Sequence, residues 1–579
     1  MNPRTQGAER HASVSIALAG SGGAGVMTAG NMLLEAAAQA GYYGLMTRTS
    51  GPQIRGGEAA AMIRVSTFAS DSQDDSFHVL AAIDWQNVTR FASEIPLAAG
   101  SLLVGDPAQG EPPDAFTGMG ARYAPVPLKE LAKKINGGWP NMVVLGLLGA
   151  LIGLPEDALE RAVKKAMKKG GEALAAGLAA VKLGMAEAAK LEGGFPLAPA
   201  AGGSARWLIS GNEAAGYGAL RGGVRFVAAY PITPATELLE WMSPALNKVG
   251  GSLVQAEDEL ASINMIVGAS YGGVPALTAT SGPGLALMSE AIGLGVAAEV
   301  PIVVVDVMRT GPSTGIATKT EQADLNIALY GLHGDAPHVV VAPNSVSDCL
   351  STTQWAVSLA ESLQVPAIVL SDQYFGQARA IIERPAESKF DAQRLRAPDN
   401  APGYKRYALT DSGISPMAIP GTPGNMYTAD GLEHNERGTP SSQASDHLAQ
   451  LEKRQRKLAA LECAEHWASV EGDGDIAVVT WGSCTAPVRE AFARARADGV
   501  NARLVSLRLL SPAQPERLAR ALEGVKRVLV VEQSFGGQFF RYLRAEYDLP
   551  GDVQSVRRPG PLPFRPDEIH QLLLKWSRT

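Results

Sequence analysis

Cysteine is scarce: Cys349, Cys463 and Cys484 are the only three in 579 residues. That number excludes a disulfide framework, and it excludes a four-cysteine iron–sulfur or zinc site built by this chain alone. It fits a reducing compartment. Long apolar runs are also missing. The longest uncharged one, MVVLGLLGALIGLP at 142–155, has 14 residues, short of the roughly 18–20 that span a bilayer. Arg4, Glu9, Arg10 and His11 precede a brief apolar run at 14–19, so no signal-peptide core is expected there. These features read as a soluble, cytoplasmic protein. Nor is there a surplus of positive charge: Lys+Arg is 51 and Asp+Glu 58, a net of −7, which makes a poor general binder of nucleic acid. The eight histidines are scattered, and none falls in a metal-ligand or catalytic-triad spacing.

What is present is a chain with room for roughly four domains of about 150 residues each, 46% hydrophobic and 19% charged, far from a disordered composition. Strand-like and helix-like runs alternate, which predicts an α/β fold. A first unit over 1–192 opens with VSIALAG, a glycine-rich turn and a helical stretch, and closes in Ala/Lys/Leu-rich helix. GGFPLAPAAGGSA, 193–205, reads as a linker. A second unit, 206–386, carries RFVAAY, VPALTAT, VPIVVVDVM, HVVVAP and PAIVLSD, near-continuous apolar runs of the kind that form buried parallel strands. Residues 387–474 are rich in Pro, Asn, Gly, Ser and charge and end in a lone long helix; they read as an extended, partly helical insertion. A last α/β unit covers 475–579.

Six motifs fall at strand ends. GSGGAG, Gly20–Gly25, lies between a strand and a helix, where backbone amides and the helix N-terminus favour an anion. A dinucleotide fingerprint also wants an acid roughly 20 residues on. The segment 41–51, GYYGLMTRTSG, has none, so NAD is not expected. RTSGPQIRGGEA, 48–59, sets Arg55 beside two glycines, a cationic loop able to grip phosphate or carboxylate. YPITPATE, 230–237, holds Thr233 between Pro231 and Pro234. Its hydroxyl can bond a substrate carboxylate or carbonyl, and Thr233 before Pro234 is equally a sound helix N-cap. Glu257, Asp258 and Glu259 crowd the start of a helix that then turns small and apolar; acids there commonly serve the helix dipole, yet one of them must lie beside a packed interior. TATSGPG, 278–284, is another strand end. VMRTGPSTGIATKTEQADL, 307–325, supplies Arg309, Ser313, Thr314, Thr318 and Lys319, the cations and hydroxyls that a carboxylate-bearing substrate wants. Gly472-Asp473-Gly474 with Asn501 echoes a diphosphate-binding motif, but it precedes a strand and reads as a turn.

In this order the pieces resemble the 2-oxoacid:ferredoxin oxidoreductases. The resemblance rests on YPITPATE, on EDELAS at 257–262 and on RTGPSTGIATKTEQADL at 309–325. GSGGAGVMTAG with the later RGG looks like that family's gamma domain, fused ahead of the alpha subunit. WGS, LRLLSP and VVEQSFGGQF are similar to a transketolase C-terminal-like domain. Only 387–474 has no family signal. The resemblance implies a gamma-type domain, a pyrimidine-binding thiamine diphosphate domain and a transketolase C-terminal-like domain.

It implies further that the enzyme interconverts a 2-oxoacid, CoA and oxidised ferredoxin with an acyl-CoA, CO₂ and reduced ferredoxin. The fused layout is similar to enzymes of 2-oxoglutarate, with pyruvate and branched-chain 2-oxoacids as alternatives. A partner beta subunit would carry the [4Fe–4S] cluster, Mg²⁺ and the diphosphate end of the cofactor, in a dimer of alpha–beta units, with no metal held by this chain. Glu259 matches the family glutamate on the aminopyrimidine ring, with Glu257 as the other register. Tyr230, Pro231 and Ile232 fall beside the cofactor. Thr233 matches the threonine at the reacting carbonyl, and Arg309 the arginine on the substrate carboxylate, with Thr318 and Lys319 nearby. Gly22, Gly23, Gly25 and Arg55 become candidates for CoA. A transketolase-like transferase and a nucleotide-binding protein built on Gly20–Gly25 are the readings of other classes.

Overall fold

The run VSIALAG forms β1, Ser13–Gly20, whose side chains are almost all buried. The computed structural model describes residues 10–51, 57–168, 170–200, 202, 206–388, 390–391 and 393–578. They divide into two compact units, one of Met1–Ser210, Gln377–Ala386 and Phe564–Ile569, the other of Gly211–Gly376, Glu387–Pro563 and His570–Thr579.

The first unit is built on β1, β2 (Tyr43–Ser50), β3 (Ala59–Ser66), β4 (Phe77–Ala82), β5 (Leu97–Gly105), β6 (Arg122–Pro125), β7 (Arg206–Ser210) and β14 (Arg379–Glu383). Their order is β6-β5-β4-β1-β3-β2-β14-β7. β1 runs parallel to β4 and antiparallel to β3. Helix α1, Val26–Gln39, follows the glycine-rich turn. The 14-residue apolar run falls largely in α2, Pro140–Leu151, which is buried on nearly every side and packs on α3, Gly171–Ala188. A Cβ at Gly146 would lie 2.0 Å from the Val181 carbonyl oxygen, and one at Gly184 would lie 1.9 Å from that of Val143. Each helix presents a glycine where the other's backbone passes, so the two approach to backbone contact. No helix among the described residues is long and apolar enough to cross a membrane.

Two boundaries differ from expectation. The segment 193–205 leads into β7, which belongs to the first sheet and not to the domain that follows. β14, expected at the end of the second unit, pairs with β2 and β7. Arg206 holds this edge: its guanidinium stacks 3.6 Å from the Tyr43 ring centroid and reaches Glu383 at 3.1 Å.

The second unit contains two sheets. The larger has β8 (Phe226–Ala229), β9 (Ser252–Gln255), β10 (Ala276–Thr280), β11 (Val303–Met308), β12 (Val339–Val341) and β13 (Ala367–Asp372), in the order β12-β13-β11-β10-β8-β9. All are mutually parallel, as the unbroken apolar runs predict. The smaller orders β15 (Ala468–Gly472), β17 (Ala502–Leu507), β16 (Ile476–Trp481), β19 (Arg527–Glu532) and β20 (Asp552–Arg557). It therefore starts at Ala468, ahead of the expected 475. β15 is an antiparallel edge strand, so Gly472–Gly474 follows one strand as well as preceding another, and it is a turn. The short β18, Leu509–Ser511, crosses to pair with β12.

Residues 387–474 pack by charge. Lys453 and Lys457, one turn apart on the helix Ala444–Ala459, both bond the Glu299 carboxylate, Lys453 at 2.5 and 2.7 Å. Arg406 donates to the Glu299 carbonyl at 2.8 Å. All four side chains are fully buried or nearly so. The two lysines hold the Glu299 carboxyl well below the usual carboxylate range. Glu299→Gln would leave two buried ammonium groups unbalanced, and unfolding in denaturant should register a loss of about 3–5 kcal/mol. Lys457→Met, which removes a surplus charge, should cost much less; equal losses would show that charge balance is not what holds the insertion.

Candidate active site

The site residues follow the carboxyl ends of β8, β9 and β11, where open α/β sheets bind ligands. β8 ends at Ala229. Tyr230 is exposed, and Pro231, Ile232 and Thr233 are half-buried. The next helix is Thr236–Asn247, with Ala235 at the N-cap and no side-chain cap. Thr233 is therefore not a helix cap: Pro234 and Ala235 separate it from the first turn. The Asn212 side chain instead fixes this turn, its amide donating to the Pro234 carbonyl at 2.9 Å.

Arg309 follows β11 immediately. Its Nη1 donates to the Thr233 carbonyl at 2.7 Å across 76 residues of sequence. The side chain is only 7% exposed, and its Nε has no acceptor among the described residues. A cation buried with an unused donor is poised for an incoming anion. Burial lowers the Arg309 pKa, opposed by the carboxyls of Asp324 and Asp306. Thr318 is buried and Lys319 half-buried in the same loop. The loop is closed by a bridge between Thr310 and Ile316, and the Lys319 carbonyl accepts from the Thr310 amide at 2.9 Å.

Glu259 opens α5, the helix Glu259–Tyr271 (α4 being Thr236–Asn247). Asp258 is the cap, its carboxylate accepting from the Ala261 amide at 2.7 Å. Of the two candidate registers, Glu257 is exposed and Glu259 is buried. The Glu259 side chain lies against Gly284 in α6, Gly282–Ala297: a Cβ there would sit 2.8 Å from Glu259 Cγ, 3.0 Å from Oε1 and 2.0 Å from Thr280 Oγ1. Only glycine fits beside this carboxylate. On the strand end before α6, the hydroxyls of Thr278 and Ser281 are buried with no partner among the described residues. The three acids thus divide their work: Asp258 caps, Glu257 faces solvent, and Glu259 is delivered to the strand ends.

In the first unit, Gly22 and Gly23 are exposed, while Gly25 adopts φ +82 at the N-cap of α1. The acid missing from 41–51 comes from elsewhere. Asp84, beyond β4, accepts from the Ser21 amide at 3.1 Å and the Ser21 hydroxyl at 2.7 Å. It closes the Ser21 end of the turn to anions and leaves the Gly22–Gly25 side. Arg55 lies outside the described residues.

A family model described as the thiamine diphosphate-binding part of pyruvate flavodoxin/ferredoxin oxidoreductase matches residues 217–453. One for pyruvate ferredoxin/flavodoxin oxidoreductase matches 15–187, and the transketolase C-terminal domain matches 465–574. Subunit alpha of 2-oxoacid:ferredoxin oxidoreductase 2 from Aeropyrum pernix is 30% identical over 94% of this chain and 95% of its own. The chain belongs to the 2-oxoacid:ferredoxin oxidoreductase family. The 2-oxoglutarate synthase subunit KorA of Methanothermobacter marburgensis is 35% identical, covering 63% of this chain and 97% of that one. Among solved structures, 2-oxoglutarate:ferredoxin oxidoreductase from Magnetococcus marinus, with 2-oxoglutarate, coenzyme A and succinyl-CoA bound, superposes with a TM-score of 0.91 at 37% identity, over 98% of this chain and 100% of that chain.

This oxidoreductase is thus an alpha-type subunit of a thiamine-dependent enzyme, with a domain of the pyruvate ferredoxin/flavodoxin oxidoreductase type ahead of its thiamine diphosphate-binding domain. The donor set at the strand ends fits that cofactor's aminopyrimidine. A buried carboxylate lies beside a glycine that no side chain could replace, with the Thr280 hydroxyl against the same glycine. Two acids at the Arg309 end, the buried Asp306 and the half-buried Asp324, were not singled out from sequence. The signal available was Asp306 itself, a lone acid inside the apolar strand IVVVDVM.

Proposed function

We propose that this chain is the alpha subunit, fused to a gamma-type domain, of a 2-oxoglutarate:ferredoxin oxidoreductase. It would interconvert 2-oxoglutarate, CoA and oxidised ferredoxin with succinyl-CoA, CO₂ and reduced ferredoxin. The supporting observation is the junction of Arg309 with Thr233, in the sheet whose strand ends also carry buried Glu259. It occurs in a chain 37% identical to a structure that holds 2-oxoglutarate and coenzyme A. Bound thiamine diphosphate supplies the nucleophilic carbon and the electron sink for decarboxylation. Glu259 bonds the aminopyrimidine ring nitrogen and holds a proton there, favouring the tautomer that acts as base. Tyr230, Pro231 and Ile232 line the ring's side of the site. Arg309 pairs with the carboxylate next to the reacting carbonyl, and the Thr233 hydroxyl orients that carbonyl. Thr318 and Lys319 supply the polar and cationic contacts that a second carboxylate needs. Gly22, Gly23 and Gly25, with Arg55, are the candidates for CoA.

The electrons leave through a partner. The three cysteines are free and buried, so the [4Fe–4S] cluster, the Mg²⁺ and the diphosphate grip are assigned to a beta subunit, with ferredoxin as acceptor and a dimer of alpha–beta units in the cytoplasm. α5 and α6 leave Leu260, Met265 and Leu287 exposed, and a Cβ at Gly268 or Gly293 would meet nothing. This open apolar face suits a partner. Leu260→Asp should abolish co-purification of the beta chain, while the separate chain keeps its circular dichroism spectrum and melting temperature. Co-expression of the two chains is the test: a brown, oxygen-sensitive complex is expected, and a colourless monomer that binds NAD would refute the reading.

A further inference from the structure

Asp306 sits on β11, three residues before Arg309, and is fully buried. Neither of its carboxylate oxygens has a donor among the described residues. Asp324, just before the helix α7, Leu325–Tyr330, brings a second carboxyl to it. The residue is partly exposed, but its Oδ2 is buried and likewise without another partner. Each carboxyl acts on the other's proton affinity. Two neighbouring carboxyls whose buried oxygens meet no donor among the described residues cannot both stay ionised, so one of them keeps a proton. The pair is also wedged in place: a Cβ at Gly282 would lie 2.5 Å from Asp324 Oδ1. Gly282 begins α6, the helix whose Gly284 receives Glu259. Asp306 is thus on the strand that delivers Arg309, and Asp324 lies against the first turn of the helix that receives Glu259.

We propose that Asp306 and Asp324 are a proton-sharing positioning pair whose charge sets how strongly Arg309 binds the oxoacid carboxylate. This rests on Arg309 being the carboxylate ligand. With both protons the pair is neutral, and Arg309 presents its whole charge to the substrate. With one proton lost, the pair offsets Arg309 and repels the incoming anion. Oxoacid binding then takes up a proton, so affinity falls as pH rises through the pair's titration. Burial pushes both carboxyls up, Asp324 to about 7, as two acids sharing one site require. The other charged groups acting on the pair are Arg309 itself and Glu321, in the segment before α7. The α6 turn meets Asp324 at Gly282, which carries no charge. On β13, beside β11, Asp372 is bonded to Ser483 and the Phe375 amide. Glu259 lies against Gly284, one turn further along α6.

The test uses the assembled holoenzyme and measures KM for 2-oxoglutarate and for CoA from about pH 6 to about pH 9. In the unaltered enzyme the oxoacid KM should rise about tenfold over this range, the effect of one charge within about 10 Å at a partly buried site. Asp306→Asn/Asp324→Asn keeps the shape without either charge. In it the oxoacid KM should stay low and flat, with the CoA KM unchanged. Asp306→Asn alone should retain the pH dependence, because its amide is neutral, as the protonated acid is, and Asp324 still titrates. A second readout is independent of turnover: a protonated-carboxyl infrared band at pH 8, lost in the single Asp306→Asn variant. A doubly substituted enzyme with the pH profile of the unaltered one, or an unaltered enzyme with a flat oxoacid KM and no such band, would overturn the pairing. Arg309→Ala separates the two ideas. If it leaves the oxoacid KM unchanged, the assignment of Arg309 fails, whereas the infrared band still reports on the pair.

Discussion

Glu259→Gln is expected to lower kcat by about 10²–10⁴-fold with KM for the oxoacid changed by less than about threefold. The amide fills the same space against Gly284 and Thr280, so the packing of α5 on α6 is preserved. What is lost is a carboxylate that can hold a proton at the aminopyrimidine nitrogen. That step precedes substrate attack, so its loss acts on turnover and spares binding. Glu257→Gln is the control: its side chain is exposed, and it should leave kcat within about twofold. Steady-state kinetics on the assembled enzyme decide it, and a normal kcat for Glu259→Gln would remove the residue from the chemistry.

Arg309→Ala should raise KM for the oxoacid roughly 100-fold and leave KM for CoA within about twofold, the scale expected when one partner of a buried charge pair is truncated. Arg309 is held by the Thr233 carbonyl at 2.7 Å, so the variant also frees the turn that carries the Thr233 hydroxyl. A smaller fall in kcat should accompany the change in KM. Arg309→Lys should recover only part of the loss, because an ammonium cannot both reach the Thr233 carbonyl and present a bidentate fork. Equal changes in KM for oxoacid and CoA would argue against the assignment.

Much of the second unit was legible because its strands are buried on both faces and read as unbroken apolar runs. Motifs at their carboxyl ends then fall where ligands bind, and the family resemblance of those motifs is what named Glu259, Thr233 and Arg309. Less legible were the features set by contacts distant in sequence. β7 and β14 carry no local sign of which sheet they join; Arg206 stacking on Tyr43 and pairing with Glu383 decides it. Local sequence also favoured Thr233 as a helix cap, but the helix begins only after Ala235. The acid at the glycine-rich turn was sought 20 residues downstream and arrives from Asp84, 63 residues away. Residues 387–474 read only as an extended, partly helical insertion, because composition does not show the buried cluster of ionic groups around Glu299 on which they pack. Polar residues in a sequence do not announce that they will pair with one another.

The reading as a 2-oxoglutarate:ferredoxin oxidoreductase meets its most direct test in one assay. The chain, assembled with its cluster-bearing partner, is given thiamine diphosphate, Mg²⁺ and oxidised viologen, then a panel of 2-oxoacids with and without CoA. Viologen reduction that requires CoA and is fastest with 2-oxoglutarate is the expected result. No reduction with any 2-oxoacid would contradict the account, and faster reduction with pyruvate or a branched-chain 2-oxoacid would contradict its substrate.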